Sequence, residues 1–81
     1  MKSRRGLGTV SHLSSSSGNL ILKAEAKVRI GEPTFAEGGR QVGVVFDLFG
    51  PVTHPFVSIR PKVKDPERYV GEPLYLGNKK R

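Results

Sequence analysis

His12 and His54 are the chain's only histidines, and no cysteine accompanies them. A zinc site draws its ligands from a small set of Cys, His, Asp and Glu at short spacings. No HExxH-type spacing exists here, so each histidine reads as a surface or loop residue rather than a metal ligand. No Gly-x-Ser-x-Gly elbow supplies a nucleophile, and no third member completes a triad. Gly6-Leu7-Gly8 is too short for a phosphate loop. Asp47, close to Phe49 and Gly50, could serve as a lone acid. A single carboxylate beside an apolar turn more simply hydrogen-bonds the backbone or stays solvated. A domain of 81 residues also has little room for a cleft. These residues point to a non-catalytic protein without metal or cofactor.

The elements that position the remaining candidates follow from the turns. Turn signals recur at Ser14–Asn19, Gly31–Pro33, Gly38-Gly39, Gly50-Pro51, Asp65-Pro66 and Gly71–Pro73. Short segments rich in Val, Ile, Leu, Phe and Thr lie between them. Such spacing implies many short strands in a sandwich or closed barrel. With 10 Gly and 6 Pro, long helices are not expected. Strands are predicted over about 7–13, 19–26, 33–37, 40–49, 54–64 and 74–76, with a short continuation over 27–30. In the second, Leu20, Leu22, Ala24 and Ala26 share one face and Lys23 and Glu25 the other. Val28 and Ile30 extend the inward face. Two glycines at 38–39 suit the positive φ angles of a tight hairpin turn. Gly43 marks a bend or a close backbone approach. Asp65 is placed to cap a turn that Pro66 begins.

Parity then separates core from surface. Val42, Val44, Phe46 and Leu48 are expected inward, which leaves Val45 and Phe49 outward with Gln41 and Asp47. In 54–64, Pro55, Val57, Ile59 and Val63 point inward; the outward set is polar except for Phe56. The connection Gly50-Pro51-Val52-Thr53-His54-Pro55 is unusually apolar, and its prolines stiffen it. Val45, Phe49, Gly50, Pro51, Val52, Pro55 and Phe56 are therefore a candidate partner-binding set. An apolar patch of several hundred Å² commonly marks a partner site, and covering it is worth several kcal/mol at about 25 cal/mol per Å². Parity alone leaves a second reading level with it, in which the loop folds back and the two phenylalanines plug one barrel end.

The formal charge is +7, from 14 basic and 7 acidic residues. Lys2, Arg4, Arg5, Lys79, Lys80 and Arg81 carry nearly all the excess; between them stand eight basic and seven acidic residues. Residues 1–5 and 78–81 are expected as basic, flexible tails around a single barrel domain over 6–77. Arg60, Lys62 and Lys64 share one strand face and could track phosphates, which keeps an autonomous RNA-binding barrel as the alternative. A third reading is an enzyme subdomain, which would leave an open strand edge. No apolar run approaches the roughly 20 residues that span a bilayer. No apolar h-region follows the basic start, and cysteine is absent, so a cytoplasmic protein is expected.

The stretch Gly38–Pro61 resembles the small glycine–arginine-rich-family subunit of H/ACA ribonucleoproteins, the RNA-guided pseudouridine synthases. The matching residues are Gly43, Val45, Asp47, Phe49-Gly50-Pro51-Val52, Pro55-Phe56-Val57-Ser58-Ile59 and Arg60-Pro61. The segment 7–22 is similar to the family's first hairpin, and Val70-Gly71-Glu72-Pro73-Leu74-Tyr75 looks like its closing strand. The aromatic after Pro55 is often Tyr in the family and is Phe56 here. With only Arg5-Gly6 in place of Gly-Arg-rich tails, the chain looks like the compact archaeal form. The resemblance implies an all-β, six-stranded antiparallel closed barrel related to those of translation factors. It implies docking on the dyskerin-like pseudouridine synthase subunit, with the guide RNA engaged only indirectly. It also implies help with substrate loading and product release in rRNA pseudouridylation, through a mobile loop of the enzyme. Under it the apolar set is favoured as the docking surface.

Overall fold

The computed structural model describes residues 5–77. Lys2, Arg4, Lys79, Lys80 and Arg81 of the expected tails lie outside the described residues. Six strands follow one another: β1 (Arg5–Leu13), β2 (Leu20–Lys23), β3 (Pro33–Ala36), β4 (Gln41–Phe49), β5 (Phe56–Pro61) and β6 (Pro73–Leu76). A single 3₁₀ turn, Pro66–Tyr69, precedes β6. The strands close into a barrel in the order β1-β2-β5-β4-β3-β6, and every pairing is antiparallel. Closure joins β6 back to β1, so no strand edge is left open to template aggregation. Arg5 already pairs with Leu76, so the first strand begins inside the expected tail.

The core is aliphatic and is drawn from all six strands. Leu7, Leu20, Leu22, Val57, Ile59, Leu74 and Leu76 are fully buried in it. Polar groups that enter the interior are matched. Thr34 Oγ1 donates to the Gly43 carbonyl at 3.1 Å. Asn19 Nδ2 donates to Ser58 Oγ at 3.0 Å. Ser58, expected on the outward polar face, is buried, and this contact is the reason. The hairpin turn takes positive φ at both Gly38 and Gly39, as expected.

Strand β4 departs from simple parity. Val42 and Val45 both reach the core, a three-residue spacing that an unbroken strand cannot give. Register shifts on both sides explain it. Against β3, Thr34 faces Gly43 and Phe35 faces Gln41, which leaves Val42 without an opposite residue. Against β5, Val45 faces Ile59 and Asp47 faces Ser58, which leaves Phe46 as the bulged residue. One extra residue inverts the side on which its followers lie. Val45 is therefore interior at 1% exposure, and Phe46 stands outside at 51%. Both positions reverse the parity expectation. Gly43 lies where β4 presses on β5: a Cβ there would sit 2.2 Å from the Arg60 carbonyl oxygen.

The continuation expected over 27–30 is not a strand. Residues 24–32 instead form an arch across one end of the barrel. Its backbone bonds go to three places: Ala24 N to the Pro55 carbonyl, Glu25 N to that of Leu7, and Gly31 N to that of Val45. Partners scattered in this way cannot make a ladder. Ala24, Ala26 and Val28 still point inward and pack on the core, whereas Ile30, expected inward, is exposed. Asp65 does not cap the 3₁₀ turn; its carboxylate accepts from Arg68 Nη1 at 3.2 Å.

Candidate functional site

The β4–β5 ladder ends in a cross-strand pair, Phe49 opposite Phe56. Their rings stack with centroids 5.7 Å apart and planes 20° from parallel. The pair lies on the outside of the barrel: Phe49 is 45% exposed and Phe56 is half-buried. The interior is already filled by aliphatic side chains, so neither ring plugs the barrel end. Phe49, Phe56 and Ile21 line a shallow hollow with His12 and Ser14 at its polar rim. Ile21 belongs to this outer surface, and sequence parity did not single it out. It sits between two core leucines on a strand buried on both faces, so alternation could not show its role.

The loop between the strands carries the rest of the candidate set. Gly50 turns the chain directly after Phe49, and a Cβ there would meet the Phe56 ring at 3.2 Å. Pro51, Thr53 and His54 are exposed, and Pro55 is half-buried. Val52 is 95% exposed, which no packing within the chain explains. Six of the seven expected residues thus lie together at one end of the molecule. Val45 is the exception: it belongs to the core and presents nothing to a partner.

The expected cationic track is only partly assembled. Arg60, Lys62 and Lys64 are exposed. The Arg60 guanidinium carbon stands 5.3 Å from the centroid of the Phe46 ring. This aromatic partner was hidden in the sequence because the bulge, not alternation, turns Phe46 outward. Asp47 Oδ1 accepts from the Leu48 amide at 2.9 Å, the backbone role expected of it. Among the described residues, no three His, Asp or Glu side chains gather as a metal set. No helix there is long and apolar enough to cross a membrane.

Fold and surface together define a small closed β-barrel of the recognition type. Its interior is filled by its own side chains, and its distinctive chemistry faces outward on a loop and two strand ends. The comparisons with known proteins agree. A profile of the Gar1/Naf1 RNA binding region matches residues 5–81, and the chain belongs to the Gar1/Naf1 family. It is 38% identical over 79 residues to an uncharacterised protein of Methanothermobacter thermautotrophicus, covering 93% of this chain and 85% of that one. It is 35% identical over 63 residues to one of Methanocaldococcus jannaschii, covering 78% and 74%. Among solved structures, the Gar1 domain of Naf1 superposes with a TM-score of 0.74 at 18% identity, covering 94% of this chain and 85% of the other. That likeness concerns the fold. The resemblance carried by residues 38–61 is borne out at the level of the family.

Proposed function

We propose that this chain is the non-catalytic barrel subunit of an H/ACA ribonucleoprotein and docks on the pseudouridine synthase subunit through its 49–56 end. Phe49, Gly50, Pro51, Val52, Pro55 and Phe56 form the contact. The observation that carries the reading is Val52 at 95% exposure beside an external stacked phenylalanine pair. Side chains of this kind are favourably removed from water, and the chain itself does not remove them. Docking places the barrel beside a mobile, substrate-gripping loop of the enzyme. A barrel that binds the open form of that loop better shifts its population toward opening, which aids RNA loading and product release.

The test is Val52→Asp with calorimetry against the synthase subunit. Burying a valine is worth about 1.5–3 kcal/mol, and a carboxylate left unpaired in the interface adds to the loss. Affinity should fall about a hundredfold or more. Because Val52 touches so little of the barrel, melting temperature should not change. Affinity unaltered by the substitution would remove the 49–56 end from the interface.

The Phe46–Arg60 contact supports a second reading, direct RNA contact by Arg60, Lys62 and Lys64 with a base stacked on the Phe46 platform. The two readings separate by salt. Binding through phosphates weakens steeply as salt rises, and docking through the apolar end does not.

A further inference from the structure

The 50–55 loop has a second side. Behind Val52 it forms one wall of a groove whose other wall is the 24–32 arch. Ile30 on the arch and Val52 on the loop are 62% and 95% exposed, so each wall presents one apolar side chain to the groove. The charges are one-sided. Lys23, Lys27 and Arg29 line the groove and are exposed. Of the two carboxylates among the described lining residues, Glu32 is already engaged: Oε2 accepts from Arg5 Nη2 at 3.2 Å and Oε1 from the Arg29 amide at 2.8 Å. Arg5 also donates to the Lys27 carbonyl at 3.5 Å, which ties the arch to the start of β1. The wall is therefore held in place from within, and its cations are left facing outward with Glu25 as the one further carboxylate.

We propose that this groove receives a short acidic segment of the synthase subunit, with carboxylates against Lys27 and Arg29 and an apolar side chain between Ile30 and Val52. The inference rests on the docking reading above and extends it from the 49–56 end onto the arch. Charge complementarity selects an acidic occupant. The apolar residues on both walls select protein over nucleic acid: a phosphate backbone gains nothing from Ile30 and Val52 and is repelled by Glu25.

The experiment measures binding of the full chain to the synthase subunit by calorimetry, for wild type and for Lys27→Glu/Arg29→Glu. Both residues are exposed and hold no side-chain bond among the described residues, so thermal melting should be unchanged. Two attractions become two repulsions, and affinity should fall at least about tenfold, with the loss shrinking as salt is raised. Ile30→Asp should weaken binding as well, and Lys27→Arg should retain it. Double-variant affinity within twofold of wild type, while Val52→Asp abolishes binding, overturns the groove and leaves the 49–56 surface standing. Insensitivity of both overturns the docking reading with it. A double variant that loses affinity for RNA but not for the synthase assigns the groove to nucleic acid and overturns the proposal.

Discussion

Gly43→Ala adds one methyl group at the place where the barrel wall has no room for it. The new carbon would lie 2.2 Å from the Arg60 carbonyl oxygen, 2.9 Å from its carbon and 3.0 Å from the Pro61 Cα. Ordinary contact begins near 3.4 Å, so β4 and β5 must part by about 1 Å or more at this point. The obstacle is backbone, which cannot rotate aside as a side chain can. Overpacking typically costs about 1–3 kcal/mol, and a backbone obstacle places this substitution at the upper end or beyond. A domain of this size holds about 4–12 kcal/mol in total, so one methyl group removes a large share. At about 4–8 °C per kcal/mol, melting temperature should fall by about 12 °C or more. Gly6→Ala is the matched control. Gly6 is also on a strand, its φ is not in the left-handed region, and nothing stands within 4 Å of its added carbon. There the same substitution should be neutral or stabilise by up to about 1 kcal/mol, through the unfolded chain. Melting curves followed by circular dichroism decide the matter. A Gly43→Ala barrel melting within about 4 °C of wild type would show that β4 and β5 are not pressed together as described.

Asn19→Ala should cost about 1–3 kcal/mol in urea denaturation because it leaves Ser58 Oγ buried without its donor. Adding Ser58→Ala should recover part of that loss, and simple additivity would show that the pair does not interact. Arg60→Ala should leave synthase affinity within about twofold, since the side chain is exposed and lies away from the 49–56 loop. A large loss of RNA affinity in the same variant, measured at fixed salt, would favour the Phe46–Arg60 platform as an RNA contact.

The strands were legible because the turns were. Gly38-Gly39, Gly50-Pro51 and Gly71–Pro73 punctuate the chain where the structure turns, and alternation of Leu20, Leu22 and Ala24 gives the core face correctly. What escaped was any shift of register. A β-bulge is one residue long and carries no composition of its own, so β4 reads in sequence as an unbroken alternation. Everything placed by parity before the bulge at Phe46 was then mirrored locally: Val45 assigned to the surface and Phe46 to the core. Phe49 lies beyond the bulge and was still placed outward, because its partner Phe56 faces the same way. The arch escaped for a related reason. Its apolar residues alternate as in a strand, but its hydrogen bonds go to three different partners, and that division is a property of the closed barrel.

Closure also explains why recognition gathers at one end. In a barrel whose interior is filled by aliphatic side chains, the inward residues are committed and every strand edge is paired. Partner chemistry must come from outward strand positions and from connections. Most connections here are short and tight. The 50–55 loop and the 24–32 arch are the exceptions, and Ala24 N bonding to the Pro55 carbonyl holds the base of one against the other. The loop thus stands on a fixed footing while Val52 at its tip touches nothing. An apolar side chain held in that position loses less conformational freedom on being covered than one on a free loop. The prolines on either side of it act in the same direction. If the loop is pre-set in this way, replacing Pro51 and Pro55 with Ala should weaken synthase binding through a slower association and a larger entropy loss, while the contact residues stay the same. Equal thermodynamics in the Pro51→Ala/Pro55→Ala variant would mean that the contact residues alone set the affinity.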